Sequence, residues 1–309
     1  MSAAAILYSF TQNLFKYGGS IIVVVGTVGC ILNLMVFTQS TLRKNPCGIY
    51  FTAVNSINLA SLYVGLLLLI LDSGYNINLF ETNLFVCRFR YYFGFVLACW
   101  ESSCLILASI DRTFITSRNA ATRKHGTRRL SIICIVFVCL FWAIVHIHAL
   151  IHMIIRQFGP NYFLCYYESG MYTTFVTYYS VLINGVFPPT LMLIFGFWTV
   201  KNVRAIGHAT LSSVASRSAV VSVGRPQILQ SKDQQLIRML LVEITTYILC
   251  KTPVLVFYIY QEITRYNVKS VEQGLIEQCV LLLTYFYILS TTVLVSMQIY
   301  RYQKRFAQN

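Results

Sequence analysis

The stretch LSIICIVFVCLFWAIVHIHALIHMII, residues 130–155, contains no aspartate, glutamate, lysine or arginine. A helix needs about 20 mostly apolar residues to cross the hydrocarbon core of a bilayer, so this stretch is long enough to span a membrane. Four more uncharged runs reach that length, at 18–38, 49–71, 169–200 and 278–300. Because these runs are continuous and do not alternate with polar residues, they predict helices and not the strands of a β-barrel.

Two further runs are long enough but carry embedded charge. Residues 91–110 contain Glu101, and residues 239–260 contain Glu243 and Lys251. The sequence therefore predicts an all-α membrane protein, a bundle of seven transmembrane helices in a single domain over residues 1–309. The predicted spans lie at about 18–40, 49–72, 86–113, 129–155, 170–200, 236–260 and 275–300.

The composition excludes most other classes of protein. Of the 309 residues, 57% are hydrophobic and only 11% are charged, whereas a soluble chain carries roughly 25% charged residues. Soluble enzymes, disordered tails and secreted disulfide scaffolds are therefore excluded. Most of the ten cysteines lie inside apolar runs, where a thiol behaves as a small hydrophobic group.

The distribution of lysine and arginine predicts the orientation of the chain. With the N-terminus outside, 17 of the 24 basic residues fall on inner segments, six fall on outer segments, and Lys251 lies within the bilayer. The net charge of +14 then faces the anionic lipids of the inner leaflet, so no nucleic-acid partner is needed to explain it. The sequence predicts a multi-pass protein with an extracellular N-terminus and membrane lipid as a partner.

Several short motifs occur in the order and spacing of one known family. They are Gly29-Cys-Ile-Leu-Asn33, Asn58-Leu-Ala60, Cys87, Asp111-Arg112-Thr113, Trp142, Pro188-Pro189, Cys250-Lys251-Thr252-Pro253 and Tyr300 with Phe306. With these motifs the chain resembles the rhodopsin-like (class A) G-protein-coupled receptors over nearly its whole length. The resemblance implies a plasma-membrane receptor in which an extracellular ligand shifts helix six and activates a heterotrimeric G protein. It also implies a short amphipathic helix after the seventh span, and no catalytic residues, metal or cofactor.

The chain departs from that family at several positions. Tyr63 stands where the second span of many relatives has an acidic residue that holds sodium, and Ser296-Met297 replaces the Asn-Pro of the seventh span. Lys251 replaces the tryptophan of helix six. Gly94 replaces the aspartate of monoamine receptors, and Ser290 replaces the lysine that binds retinal. The resemblance therefore indicates a divergent member whose ligand is a peptide or another non-amine.

The resemblance also implies roles for residues at the two ends of the third span. Cys87 would form a disulfide with Cys165 in the second outer loop, the alternative being two free thiols. At the inner end, Arg112 would be held by Asp111 and by Asp233 on helix six, which would latch the resting state. The alternative is ordinary interfacial charge at two helix ends.

Pro253 and Tyr300 complete the switch residues that the resemblance implies. Pro253 interrupts the hydrogen bonds of helix six, which predicts either a hinge or a static bend. Tyr300 lies at the end of the seventh span, just before the short amphipathic helix.

The charged residues within the spans form a predicted polar core together with Asn33. A charge at the bilayer centre costs about 2.5–3.5 kcal/mol on insertion scales, so Glu101, Glu243 and Lys251 should face the bundle interior. We expect the Lys251 ammonium to replace the sodium ion of relatives and to pair with Glu101. The alternative is a protonated Glu101 with Lys251 reaching water in the cavity.

Aromatic residues are concentrated in the outer halves of the spans. Candidate ligand-pocket residues are Tyr91, Phe95, Tyr178, Tyr179, Tyr258 and Tyr287. The alternative for each is a place in the interfacial aromatic belt. His148 and His152 share a face of span four, where packing is favoured over a metal site.

Two other classes of function remain as alternatives. A seven-span transporter or ligand-gated channel would use Glu101, Glu243 and Lys251 as an ion path, and it would be expected to show inverted repeats, which the sequence lacks. A membrane enzyme would need a histidine–acid or metal cluster, and the sequence offers no clear one.

Overall fold

The structure is a computed structural model. It describes residues 3–40, 42–77, 82–117, 119–123, 126–159, 162–167, 170–215, 231–263 and 271–307. Over these ranges the chain is a bundle of long helices with one short β-hairpin.

The helices, labelled α1 to α7, follow one another along the chain. Three of them are regular α-helices throughout: α3 is Leu84–Ile115, α6 is Ser231–Ile263 and α7 is Val271–Ala307. Three contain π-helical segments: α1 comprises Ala3–Asn13, the π-helical Leu14–Gly19 and Ser20–Phe37; α2 comprises Pro46–Ser61 and the π-helical Leu62–Leu67 and Ile70–Gly74; α5 comprises Met171–Tyr179, the π-helical Ser180–Val186 and Phe187–Ala215. Helix α4 comprises Arg128–Val145 and, after a break at His146, Ile147–His152. A single helical turn, Ala120–Arg123, lies between α3 and α4.

Side-chain caps fix the starts of three helices. Asn45 accepts a hydrogen bond from the backbone N–H of Cys47 and precedes Pro46, which is preorganised for the first helical position. Asn83 caps α3 by accepting from Phe85 and Val86, and Thr127 caps α4. Polar residues in the short loops therefore determine where three of the membrane helices begin.

Strands β1, Met153–Gly159, and β2, Tyr162–Tyr167, form an antiparallel hairpin between α4 and α5. Met153 pairs with Tyr167 and Ile155 pairs with Cys165. The hairpin adds two short strands to the helical bundle that the sequence predicts, and the fourth helix ends at His152, not near residue 155. The reason is that the extended backbone from Met153 onward pairs with the returning strand.

Helix α3 lies at the centre of the bundle, in contact with α2, α4, α5 and α6, while α7 packs between α6 and α1. The outer surface is apolar: on α4, for example, Phe137 is 66% exposed and Ile144 is 67% exposed. Six helices in the described ranges are long and apolar enough to cross a membrane, and a shorter apolar stretch, Leu282–Met297, lies in α7. The chain is therefore a helical, multi-pass membrane bundle.

The two ends of the chain extend beyond the predicted spans. Helix α1 begins at Ala3, well before the predicted start near residue 18, and its N-terminal part buries Thr11 and Phe15. Helix α7 continues without a break to Ala307. The structure thus does not separate the short amphipathic helix that the resemblance implies from the seventh predicted span.

Candidate functional site

Arg112 is held in a polar cage near the end of α3. Its side chain is 0% exposed, and its Nη2 atom lies 2.7 Å from Asp111 Oδ2 and 2.8 Å from Asn45 Oδ1. Asn45 is also the cap of α2, so the guanidinium joins α3 to the loop between α1 and α2. The side chain of Asp233, the predicted latch partner on α6, lies outside the described residues.

Asn33 links three helices through its side-chain amide. Its Nδ2 atom donates to Asn55 Oδ1 at 3.1 Å and to the carbonyl of Thr292 at 3.3 Å, and its Oδ1 atom accepts from Ser296 at 2.8 Å. A Cβ added at Gly29 would lie 3.0 Å from the Thr292 Cβ, so this glycine allows α1 and α7 to approach closely. The predicted polar-core role of Asn33 thus has a defined set of partners, and Ser296 is one of them.

The predicted correspondence of Tyr63 with the acidic residue of the second span is wrong. Tyr63 is 45% exposed, and its hydroxyl accepts a hydrogen bond from Thr27 on the outside of the bundle. Asn55 and Asn58, each 2% exposed, are the buried polar residues of α2. Five residues of α-helix rotate the chain by about 140°, so Tyr63 cannot share the inward face of Asn58.

The predicted intramembrane charges converge between α3, α6 and α7. Glu101 is 4% exposed and Glu243 is 2% exposed. The Lys251 ammonium lies over two aromatic rings, 5.3 Å from the ring centre of Tyr287 and 5.7 Å from that of Tyr247. Both distances are within the range of cation–π attraction.

Glu101 and Lys251 interact at longer range than a salt bridge. Their charges are close enough to interact electrostatically, but no nitrogen–oxygen distance between them is within 4.0 Å. The tyrosine rings therefore provide the close contacts of the ammonium, and the Glu101 carboxylate provides a more distant opposite charge.

Prolines interrupt α5 and α6 in different surroundings. Pro188 has no N–H to bond the carbonyl of Asn184, four residues earlier, and the Tyr247 hydroxyl donates to that carbonyl at 3.4 Å. A side chain of α6 thus satisfies a backbone group of α5. Pro253 lies on an exposed face of α6, and the helix is unbroken across it.

The β-hairpin is attached to the N-terminal end of α3. A disulfide joins Cys87 to Cys165, as the resemblance implies. Arg88 donates to the carbonyls of Met153 and Ile151, at 3.0 Å and 3.1 Å, and the Tyr91 hydroxyl donates to the carbonyl of Cys165 at 3.3 Å. The disulfide and two of these hydrogen bonds, to Met153 and Cys165, therefore attach the hairpin to α3, and the third attaches the end of α4.

The chain matches one family of membrane receptors. The model of the 7 transmembrane receptor (rhodopsin family) matches residues 28–297, most of the chain. The chain belongs to this family. No curated protein gives a significant match. Members of the rhodopsin family are receptors for extracellular ligands and in general signal through heterotrimeric G proteins.

Five of the six aromatic residues predicted for the ligand pocket of the receptor have described side chains, and these five do not form one group. Tyr91 and Phe95 pack under the hairpin against Tyr167, and Tyr179 faces α4. Tyr287, which is fully buried, lies deeper, beside Lys251. The side chain of Tyr258 lies outside the described residues, as does that of Tyr300, the predicted switch residue.

Tyr178 lies on a different surface from the other aromatic candidates. It is 56% exposed and contributes to an apolar groove of about 740 Å³. The described residues that line this groove all belong to α5: Met171, Thr174, Phe175, Tyr178, Tyr179, Leu182 and Ile183. A groove formed by one helix and exposed on the outside of the bundle fits the acyl chains of lipid better than a polar ligand.

A polar network between α3, α4 and α5 was not predicted. His146 Nδ1 donates to the Trp142 carbonyl at 2.9 Å, and its Nε2 lies 3.1 Å from the Tyr179 hydroxyl. The His146 ring stacks on Phe95. Cys99 donates to Asn184 Oδ1 at 3.1 Å, next to His146. The sequence gives no sign of the break in α4 at His146, and a regular helix would turn this residue in another direction. The network could therefore not be predicted.

The other two histidines of α4 pack beside this network. His148 Nδ1 lies 2.7 Å from the Tyr172 hydroxyl, and the His152 ring lies 4.5 Å from the Tyr172 ring. Over the described ranges no three histidine, cysteine or acidic side chains form a group that could hold a metal ion. His148 and His152 both contact the aromatic residue Tyr172 of α5.

Proposed function

We propose that the chain is a plasma-membrane G-protein-coupled receptor with an extracellular N-terminus and a cytosolic C-terminus. In this arrangement α7 is the seventh span, the basic segments face anionic lipid, and the receptor performs no enzymatic reaction. The observation that carries the proposal is the Arg112 cage, together with the family of the chain. A fully buried guanidinium at the inner end of α3, held by one acid and one amide, can be released by a modest helix movement.

The ligand enters beside Gly94. This residue is exposed, and a Cβ added to it would meet no atom within 4 Å. Gly94 and Glu101 are seven residues apart, two helical turns, so they share the face of α3 that looks toward α6 and α7. An open space thus lies directly above the buried charges of the core.

The charge of the outer segments does not select the charge of the ligand, which we propose to be a peptide or another non-amine. In the proposed orientation the acidic residues outside are Asp72, Glu81, Glu168, Glu262, Glu272 and Glu277, and six basic residues also lie outside, so the outer segments carry no net charge to steer a ligand of either sign. Gly94 provides no carboxylate, so the single-amine recognition of monoamine receptors does not apply.

Activation then follows from a shift of α6. The ligand changes the packing around Lys251, the inner half of α6 moves away from α3, and the groove that opens receives a helix of the G protein. Pro253 lies near the outer end of α6, so the inner two thirds of this helix can swing. The transporter or channel alternative depends on the same buried charges, Glu101, Glu243 and Lys251. No other observation on the described residues supports it.

The test is nucleotide exchange by a panel of heterotrimeric G proteins, measured with purified full-length receptor and a library of peptides. We expect at least one G protein to exchange faster with receptor, and Arg112→Ala to remove that effect. If Arg112→Ala activates as well as the natural receptor, the proposed coupling mechanism is wrong.

The ligand position is tested with two substitutions of one residue. Gly94→Phe should fill the open space and weaken the response to an active peptide by tenfold or more, while leaving basal exchange unchanged. Gly94→Ala is the matched control, because its methyl group meets no atom within 4 Å. An unaltered peptide response in Gly94→Phe would place the ligand elsewhere.

A further inference from the structure

We propose that Glu101 and Glu243 together bind one exchangeable proton, and that this proton stabilises α6 in its resting position. The two carboxyl groups belong to α3 and α6, and each is almost fully buried. Their charges are close enough to interact electrostatically. The pair therefore connects the central helix of the bundle to the helix that is proposed to move.

The charge balance of the site requires a further positive charge. Glu101 and Glu243 would contribute two negative charges, and Lys251 contributes one positive charge. Two carboxylates that interact at short range in an apolar interior are not both ionised unless cations compensate them. One bound proton makes the cluster neutral.

Unpartnered buried atoms indicate where that proton is held. Glu101 Oε1 and Glu243 Oε2 are inaccessible to solvent and make no hydrogen bond with the described residues. The Tyr287 hydroxyl is also inaccessible to solvent, and it is close enough to Glu101 to interact with it. A buried polar atom without a partner costs about 1–3 kcal/mol, so native proteins rarely retain such atoms. The Tyr287 hydroxyl can donate to Glu101, and a proton bound by the carboxyl pair supplies a second donor.

The groups around the two carboxyls come from four helices. Helix α3 contributes Cys99 and Cys104, α6 contributes Tyr247, Cys250 and Lys251, α7 contributes Tyr287, and α1 contributes Cys30. The unperturbed thiol and phenol groups are neutral near pH 7, so Lys251 is the cation that faces the pair. The Lys251 ammonium already lies against two tyrosine rings, so a proton fits beside it better than a metal cation does.

The link between the proton and receptor state rests on the proposed function. Glu243 lies ten residues from Pro253 on the inner side, about 15 Å along the helix, so it moves far when the inner part of α6 swings. In the open arrangement water reaches Glu243 and stabilises its ionised form. The resting state therefore binds the proton more tightly, and a rise in pH favours the active state by at most about tenfold per pH unit for one proton.

Infrared spectroscopy tests for the proton without any signalling assay. Full-length receptor in lipid nanodiscs should show the C=O stretching band of a protonated carboxyl at neutral pH. Comparison of the natural receptor with Glu101→Gln, Glu243→Gln and the double variant assigns the band, and Asp72→Asn is the control outside the cluster. A band that the double variant removes supports the proposal, and a spectrum in which neither substitution changes any protonated-carboxyl band overturns it.

Basal nucleotide exchange then tests the link to receptor state. At each pH the rate of exchange by the natural receptor is divided by the rate for Glu243→Gln, and this ratio should rise with pH. The same ratio for Asp72→Asn should rise as it does for the natural receptor. Replacing sodium by choline at constant ionic strength distinguishes a bound proton from a bound sodium ion. Basal exchange that depends on sodium and not on pH overturns the proton assignment. A receptor that couples to no G protein would refute the proposed function, yet it would still show the carboxyl band if the proton is bound.

Discussion

At the scale of single residues, the Arg112 cage predicts that Asn45 restrains basal activity. Asn45→Ala removes a hydrogen bond to a buried charge, an interaction worth about 1.5–3 kcal/mol, from the resting state. We expect basal nucleotide exchange to increase several-fold. The measurement is ligand-independent exchange by a coupled G protein at equal amounts of receptor.

Asn45 also caps α2, so a control must separate the two roles. Asn45→Ser retains a capping side chain but is too short to keep the contact with Arg112. We expect Asn45→Ser to raise basal exchange as Asn45→Ala does, with a smaller loss of thermal stability. If Asn45→Ser behaves like the natural receptor, the cap and not the Arg112 contact explains the effect of alanine.

The sequence predicted individual residues unevenly. Arg112 and the Cys87–Cys165 disulfide were predictable because fixed motifs mark their positions. Asn45 was not, since a lone asparagine in a loop gives no sign that a distant arginine will reach it. The failure at Tyr63 has another cause: the position was read from a motif, whereas helical geometry puts this residue on a different face from Asn58.

At the scale of helices, Tyr247 and Pro188 should be energetically coupled. Tyr247→Phe leaves the Asn184 carbonyl without its hydrogen bond, at a cost of about 1 kcal/mol in the free energy of unfolding. Pro188→Ala restores a backbone N–H that can satisfy the same carbonyl. The double variant should therefore lose less stability than the sum of the single variants, which a double-mutant cycle of thermal unfolding measures.

Strict additivity in that cycle would contradict the assigned hydrogen bond. Thr190→Ala provides the control, because its hydroxyl bonds within α5 to the Val186 carbonyl and touches no α6 residue in the described contacts. Its effect should add to that of Tyr247→Phe. Such couplings lie beyond sequence patterns, since the π-helical segment Ser180–Val186 changes which residues of α5 face α6.

The outer hairpin makes a second prediction about elements. The disulfide closes a loop with a sequence separation of 78, which the chain-entropy treatment values at roughly 4–5 kcal/mol, an upper figure for helices already confined to a bilayer. Arg88→Ala removes two backbone contacts but leaves the disulfide. We expect Cys87→Ser with Cys165→Ser to abolish surface expression, and Arg88→Ala to reduce peptide affinity with expression retained, both measured by flow cytometry. Equal expression of the cysteine variant would refute this.

At the scale of the whole molecule, the helical membrane bundle was predictable from the lengths of the hydrophobic runs and from the distribution of charge. Both are constrained by the lipid that surrounds the chain. Lipid requires each backbone group to bond within its own helix, so a long apolar run has few alternatives. The hairpin at residues 153–167 escaped this reasoning, since its geometry depends on a disulfide and on contacts with α3. The convergence of Glu101, Glu243 and Lys251 was predictable in outline, as buried charges face the bundle interior, but the tyrosine rings around Lys251 were not.

The orientation of the molecule is the prediction that depends on all its loops together. An epitope tag at the N-terminus should be accessible to antibody on intact cells, because 17 basic residues lie on the predicted inner segments and six on the outer ones. Replacing Arg123, Arg128 and Arg129 by glutamine should lower the fraction of receptor with an accessible tag. Replacing Lys16 and Arg90, which lie outside, should leave that fraction unchanged or raise it. A tag that antibody reaches only after permeabilisation would reverse the orientation, and with it the assignment of the Arg112 cage to the cytosolic side.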